Sequence, residues 1–323
     1  MARRFYSIII PVYNRPDEVD ELLESLTLQS YKNFEVIIVE DGSDKKCDKV
    51  IEKYIHELNI TYCFKENAGQ GFARNYGYER AKGEYFIVFD SDCIIPDHYL
   101  ETVENFLNEN YLDAYGGPDR AHDSFSPIQK AINFSMTSVF TTGGIRNKKK
   151  AIGGFSPKSF NMGISRVVFD ATGGYIIPYK GEDIEFSTRI KNMGFKTGLI
   201  EDAFVYHKRR TSWFKFFKQL HFFGTARINI ARFFPDQLKL VHFFPAIFAL
   251  GFIMTIFMWF FYPALAKVLT AIFVTYFLIL FTDALIRTRS LWISLLGIWA
   301  GFLQLMAYGM GLIQELLISL FKK

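Results

Sequence analysis

The sequence predicts an α/β fold with a Rossmann-like, mostly parallel sheet, followed by interfacial helices and C-terminal transmembrane helices. Three observations carry that reading. Apolar β-branched runs alternate with amphipathic helices through the first hundred residues, acidic clusters close those runs, and the long apolar stretches concentrate in residues 213–321.

Residues 5–13 (FYSIIIPVY) form an apolar run that stops at a turn, the pattern of a buried strand. A helix is expected from about Pro16, with proline near its first position and Val19, Leu22, Leu23 and Leu26 on one face. Residues 34–39 (FEVIIV) give a second strand ending at Glu40-Asp41-Gly42-Ser43. A weaker helix and a strand over residues 60–64 follow. A helix over 69–81 then leads to a strand over 84–89 that ends at Asp90-Ser91-Asp92. Uninterrupted apolar strands separated by amphipathic helices imply a parallel sheet covered on both faces. Ligands of such sheets sit beyond the carboxyl ends of the strands, where each acidic cluster falls.

Residues 112–206 are less regular, with glycine pairs at 116–117, 143–144, 153–154 and 173–174. They read as shorter strands and loops that complete one domain over residues 1–210. The lysine run at 148–150 reads as an exposed loop.

With 323 residues, the chain has room for one large α/β domain and something more. Half its residues are hydrophobic and 35 are Phe, which is heavy for a soluble enzyme and points to a membrane. A net charge of +4 is too mild to suggest a nucleic-acid partner. Lys208, Arg209, Arg210, Arg227, Arg232 and Lys239 cluster just before the apolar region, where they suit anionic lipid headgroups. Cys47, Cys63 and Cys93 are odd in number and lack metal-ligand spacing, so they read as free thiols in a reducing compartment. Arg3 and Arg4 precede only a short apolar run, so no signal peptide is expected and the N-terminus is placed in the cytosol.

Asp90 and Asp92 stand two apart at a strand end. In a strand both would project to one side and could face one ligand. A divalent cation between such carboxylates and a diphosphate would offset a leaving group's charge. The plainer alternative is a turn that only ends the strand. There is no GxxxxGK[ST] loop to hold phosphates otherwise. Glu182 and Asp183 open a helix after Gly181, with Gly194 as its stop. Acidic residues there commonly complement the helix dipole; one could also be a general base that takes a hydroxyl proton. His207 follows a predicted strand, and both a structural role and metal ligation stay open.

The segments SIIIPVYNRPDEVDELLESLTLQSYKNFEVIIVEDGS, ENAGQGFARNYGYERAKGEYFIVFDSD and GEDIEFSTRIKNMGF, in this order, resemble family-2 glycosyltransferases of the GT-A fold. The resemblance covers roughly residues 5–207. It implies an inverting transfer from a nucleotide diphosphate sugar, with UDP-hexose as the default donor and Mg²⁺ or Mn²⁺ as cofactor. By position, Pro11, Tyr13 and Asn14 would line the nucleotide pocket and Asp41 would contact the base or ribose. Gly69, Arg74 and Asn75, within an N-x-G-x-x-x-A-R-N-x-G pattern, would flank the donor. Asp90 and Asp92 match the family's DxD pair, with Asp92 favoured as the direct metal ligand. Asp183 matches the catalytic base, Glu182 would help position the acceptor, and His207 corresponds to a histidine that completes the metal site in several relatives.

From Thr211 the character changes. Residues 211–239 interleave aromatics with Lys215, Lys218, Arg227 and Arg232, which suits the bilayer interface; the alternative is an ordinary packed helix. Residues 240–323 carry three expected spans, at about 243–262, 264–282 and 290–314, each long enough for the hydrocarbon core. Pro263 would mark a tight turn, and residues 283–289 a short loop whose Arg287 and Arg289 favour the cytosolic side. Gly309, Gly311 and Glu315 leave open a bend or re-entry in the last segment.

The tract RRTSWFKFFKQLHFFGTAR, followed by a span containing proline, resembles membrane glycosyltransferases of bacterial exopolysaccharide assembly, such as the succinoglycan type. That implies a multi-pass protein of the bacterial cytoplasmic (inner) membrane, with its catalytic domain in the cytoplasm. It would act on a polyprenyl-diphosphate-linked saccharide among membrane lipids. Rival readings fit less well. A processive synthase would carry QxxRW, but Gln219 is followed by Leu220, His221 and Phe222. A polyprenyl-phosphate glycosyl carrier synthase would carry a DADLQxPPE-like signature, unlike DSDCIIPDHYL. An inactive sugar-nucleotide-binding scaffold would not need Asp41, Asp90, Asp92 and Asp183 together.

Overall fold

A computed structural model of the chain describes residues 3–143 and 155–321. The lysine run at 148–150, Gly144, Gly153, Gly154 and the two C-terminal lysines lie outside the described residues. Two compact units form, one from residues 3–122 and 155–208, the other from 123–143 and 209–321.

In the first unit β1 (Tyr6–Val12), α1 (Pro16–Thr27), β2 (Phe34–Asp41), α2 (Asp48–Ile51), β3 (Ile60–Lys65), α3 (Gln70–Tyr78) and β4 (Tyr85–Phe89) follow the predicted alternation. After them come β5 (Cys93–Ile94), α4 (Tyr99–Glu109), β6 (Ala114–Gly116) and β7 (Asp119–Arg120). The chain passes through α5 (Pro127–Thr137) and α6 (Val139–Thr142) of the second unit. It then returns as β8 (Asn161–Ser165), α7 (Arg166–Thr172), α8 (Glu182–Asn192), β9 (Thr197–Leu199) and β10 (Val205–His207).

The main sheet runs β3-β2-β1-β4-β8-β6-β9. Its first four strands are parallel, β8 is antiparallel to both neighbours, and β6 and β9 are parallel. The continuous apolar runs are explained by two cores. Alternate residues of β1 point to opposite faces: Ile8 and Ile10 join α1 residues such as Leu22 and Leu26, whereas Ile9 joins Ala73 and Tyr78 of α3. Gly77 lets α3 lie close, because a Cβ there would come 2.5 Å from Ile9 Cγ2. A smaller sheet, β5-β10-β7, follows the end of β4.

The Asp90-Ser91-Asp92 triplet is not strand. It forms the turn between β4 and β5, where the Cys93 amide donates to the Asp90 carbonyl at 3.1 Å. The two-residue alternation used to put both carboxylates on one side therefore does not govern them.

The second unit is helical. It holds α5 and α6 with α9 (Trp213–Phe233), α10 (Phe244–Phe261), α11 (Pro263–Thr288) and α12 (Leu291–Phe321). Residues 123–143 fall here although the sequence groups them with the stretch before 210. The reason is burial: Ile132 and Met136 share a core with Phe216, Leu220, Ala300 and Ala307. Three helical stretches are long and apolar enough to cross a membrane, Leu240–Phe261, Pro263–Thr288 and Leu291–Phe321, with mean hydropathies of 2.2, 2.2 and 1.6.

Pro263, expected to mark a tight turn, is the first residue of α11, and only Tyr262 separates α10 from it. The predicted loop over 283–289 is instead mostly helix, because α11 continues to Thr288 and only Arg289 and Ser290 separate it from α12. Asp283 supports that extension: it accepts from Arg287 Nε one turn on and from Ser138 Oγ, both at 2.7 Å. The last segment is one continuous helix, with no re-entry. Its glycines serve close packing, since a Cβ on Gly311 would lie 2.1 Å from the His221 carbonyl oxygen and one on Gly309 2.3 Å from that of Pro245. Helix α9 buries Phe216, Leu220 and Ile228 while Phe214, Phe222 and Phe233 stay exposed.

Candidate active site

The acidic residues singled out in the sequence gather in three groups, around Asp41, around Arg74 and around Asp92. The first is built around Asp41, the last residue of β2. Its buried carboxylate accepts from Lys65 Nζ at 2.6 Å and the Ala68 amide at 3.0 Å through Oδ1, and from the Gly69 amide at 2.9 Å through Oδ2. Asp41 thus shapes the loop that enters α3. Gly69 has φ +95°, and a Cβ there would lie 2.7 Å from Pro178 Cβ. That positive φ and close approach require glycine. Nearby, Asn14 adopts a left-handed φ of 55°. Its amide donates to Ser43 Oγ at 2.8 Å and its Oδ1 accepts from the Lys45 amide at 2.9 Å. Tyr13 beside it is exposed, and Pro11 lies past the last β1–β4 pair.

Arg74 makes the second centre. It is fully buried on α3, and its Nη2 donates to Asp90 Oδ1 at 2.9 Å while Nη1 reaches Glu182 Oε1 at 3.2 Å. Gln70 Nε2 also donates to Glu182 Oε1. Burial raises the Glu182 carboxyl above its usual range, an effect opposed by Arg74 and reinforced by Asp183. One guanidinium therefore ties the β4–β5 turn to the start of α8. Asn75, the next residue of the same motif, clamps a loop: it donates to the Tyr175 carbonyl at 2.7 Å and accepts from the Tyr175 amide at 2.8 Å.

Asp183, the second residue of α8, is partly exposed. Its Oδ1 accepts from the Ile184 amide at 2.8 Å, and Lys158 Nζ lies 3.5 Å from Oδ2.

Asp92 and His207 come together through strand pairing. His207 Nε2 lies 3.0 Å from Asp92 Oδ1, and Arg15 Nη1 donates to Asp92 Oδ2. Burial alone would raise the Asp92 carboxyl; His207 and Arg15 outweigh it and hold the carboxyl below its ordinary range. The His207 Nε2 contact lacks hydrogen-bond alignment, so Asp92 Oδ1 is a buried polar atom with no hydrogen-bond partner, and the other ring nitrogen, His207 Nδ1, has none either. The His207 ring is fixed by stacking on Phe160, 5.1 Å between centroids. An unsatisfied carboxylate oxygen with the imidazole Nε2 3.0 Å from it fits a divalent cation.

Cys93 Sγ groups with these atoms, although the cysteine spacing gave no such sign. It comes there because β5 pairs with β10. Burial pushes its thiol well above the usual range, and sulfur is a softer ligand than Mg²⁺ or Mn²⁺ prefers. Asp90 falls outside that group, its carboxylate engaged by Arg74. All three cysteines are free.

The sequence reading missed Arg15, Gln70, Lys65 and Lys158. Arg15 and Gln70 carried a signal, since each directly follows a motif residue used for the donor site, Asn14 and Gly69.

The sequence profile of Glycosyl transferase family 2 matches residues 7–172, just over half of the chain. The chain belongs to that family. An uncharacterised glycosyltransferase of Rickettsia typhi is 42% identical over 103 residues, 32% of this chain and 32% of that relative. The match thus spans about a third of the relative's length. Among solved structures, the mannosyltransferase PcManGT of Pyrobaculum calidifontis, in complex with GDP-Man and Mn²⁺, aligns with TM-score 0.68 and 16% identity, covering 98% of this chain and 88% of that one. S. aureus TarS 1-349 with UDP-GlcNAc aligns with TM-score 0.50 and 18% identity, covering 96% and 91%. At these identities the likeness to the solved structures is one of fold. This family-2 glycosyltransferase has the mostly parallel GT-A sheet, with Asn14, Asp41 and Asp90 at or just past the carboxyl ends of β1, β2 and β4.

Proposed function

We propose that the protein transfers a sugar, with inversion, from a nucleotide diphosphate sugar to a polyprenyl-diphosphate-linked saccharide in cell-surface glycan assembly. The observation that carries this reading is the Arg74 bridge. By holding Asp90 and Glu182 together, it brings the turn bearing Asp92 near the helix start bearing Asp183. A carboxylate–imidazole pair that fits a cation and a partly exposed carboxylate at the start of α8 suit a single displacement at an anomeric carbon.

Asp183 takes the proton of the acceptor hydroxyl as its oxygen attacks from the face opposite the nucleotide. Asp92 and His207 hold the divalent cation, Mg²⁺ or Mn²⁺, which supplies positive charge where the leaving diphosphate gains negative charge. Glu182, kept in place by Arg74 and Gln70, orients the acceptor beside Asp183. The nucleotide lies over the ends of β1 and β2, bounded by Pro11, Tyr13, Asn14 and Asp41. A UDP-hexose is the donor we assign; relatives of the fold are seen with both GDP-Man and UDP-GlcNAc. The three apolar helices support a place in a membrane; we assign it to the bacterial cytoplasmic membrane, multi-pass, with the catalytic unit in the cytoplasm and a lipid-linked acceptor.

The test is a panel of nucleotide sugars incubated with the detergent-solubilised full chain and bacterial lipid extract. A glycolipid whose mass rises by one sugar residue, joined by an inverted linkage, is expected. Transfer directly to a polyprenyl monophosphate would replace this reading with that of a carrier synthase. Nucleotide binding with no release of nucleoside diphosphate would leave only a scaffold.

A further inference from the structure

Arg15 lies in the loop between β1 and α1. The backbone beside it is pinned by the hydrogen bonds of Asn14, while the Arg15 side chain is 26% exposed and ends on Asp92 Oδ2. Asp92, only 12% exposed, and His207 are fixed by the β4–β5 turn and the β5–β10 pairing. A divalent ion that takes Asp92 as ligand therefore meets a carboxylate already neutralised by a guanidinium. Two cations on one carboxylate repel each other, and of the groups present the long, partly exposed arginine side chain is the one able to swing away. A guanidinium suits phosphate oxygens as well as it suits a carboxylate, and the diphosphate of the donor would bring those oxygens to the same ion.

We propose that Arg15 is an exchangeable counter-ion, which holds Asp92 while no divalent ion is bound and passes to the donor's diphosphate when the ion takes its place. This rests on the assignment of Asp92 and His207 to the cation. Arg15 then acts as a positioning residue that couples two ligands. The ion alone must break the Arg15–Asp92 pair, and so must the nucleotide alone. Together they break it once, so each binds more tightly in the presence of the other, and by the same factor.

The experiment is Mn²⁺ titration of the detergent-solubilised full chain, alone and with UDP or GDP, for the wild type, Arg15→Gln, Arg15→Lys and Asp92→Asn. Thermal unfolding of each confirms that it is folded. Arg15→Gln should bind Mn²⁺ alone on the order of tenfold more tightly than wild type, and nucleotide should tighten Mn²⁺ on the order of tenfold less than it does in wild type. Arg15→Lys, which keeps the charge, should lie between. Mn²⁺ binding lost in Asp92→Asn but unchanged or weakened in Arg15→Gln overturns the counter-ion alone. Mn²⁺ binding that is the same in Asp92→Asn as in wild type, or absent from all four proteins, overturns the metal assignment and the counter-ion with it.

Discussion

His207 stands directly opposite Cys93 in the antiparallel pairing of β10 with β5. That register carries its ring to the carboxylate of Asp92, one residue before Cys93. A shift of one residue would turn the ring to the other face of the small sheet. Removal of the ring by His207→Ala should weaken Mn²⁺ binding on the order of a hundredfold, since loss of even an outer partner of a metal ligand costs about 10–100-fold. Asp92→Ala should abolish transfer, and chelator should reproduce that defect in wild type. Full transfer in chelator would take the cation out of the reaction.

Asp183→Asn keeps size and polarity while removing most of the basicity. Donor affinity should change little, whereas single-turnover transfer should fall by about 10²–10⁴. A donor titration run beside the transfer assay separates the two. Near-normal transfer would exclude Asp183 as the base, and lost donor binding would move it to the nucleotide site.

Arg74→Met should be severe for a different reason. It leaves Glu182 buried without its counter-charge, and breaking a buried ion pair typically costs about 3–5 kcal/mol. Unfolding of the purified chain in denaturant at neutral pH reads this directly. Wild-type stability would mean that the bridge is dispensable to the fold.

Much of this was legible in the sequence, and the reason is local. Strands β1, β2 and β4 are buried on both faces, so their residues are apolar in unbroken runs. Helix α1 shows its period because Val19, Leu22, Leu23 and Leu26 all face one core. What escaped depends on partners far along the chain. Arg15 meets Asp92 across 77 positions and Gln70 meets Glu182 across 112. Such pairs leave no spacing to read. The end of α11 escaped because charged residues suggest a loop, whereas Asp283 and Arg287 satisfy each other along one helix face. The helices at 127–142 escaped because their apolar faces match residues that come more than seventy positions later.

Away from the candidate site, Glu104 offers a pH test. Tyr6 Oη donates to it at 2.6 Å and Arg4 Nη1 at 3.1 Å. Burial opposes ionisation, but these two partners prevail and hold its carboxyl below the usual range. A depressed folded value means that the stabilisation is present above the ordinary glutamate range and is lost as pH falls through the folded value. Glu104→Gln should therefore cost roughly 1.5–3 kcal/mol near pH 7, and the gap to wild type should narrow under acid. A gap that widens on acidification would contradict the assignment.

Helix packing in the second unit can be tested with glycines. Gly311→Leu must displace backbone, because its Cβ would sit 2.1 Å from the His221 carbonyl oxygen, whereas at Gly251 the nearest neighbour is Phe273 Cζ at 3.7 Å. The first should lower the thermal midpoint sharply or prevent folding. Gly251→Ala should be neutral or stabilising by up to about 1 kcal/mol, from helix propensity. Equal behaviour of the two variants in detergent would contradict the close approach of α9 to α12.

Helix α12 is longer than the layer it would cross. Its 31 residues extend about 46 Å at about 1.5 Å per residue, against roughly 30 Å of hydrocarbon. Glu315 is its one charged residue, two turns from the C-terminal end, and it pairs with Arg232 of α9 at 2.9 Å. The overhang is therefore one-sided: the C-terminal turns are where the helix can leave the hydrocarbon. Sliding α12 inward by one turn, about 5.4 Å, would draw two charges toward the acyl chains. In a bilayer the Glu315–Arg232 pair would thus act as a depth stop, limiting how far α12 could sink toward the acyl chains.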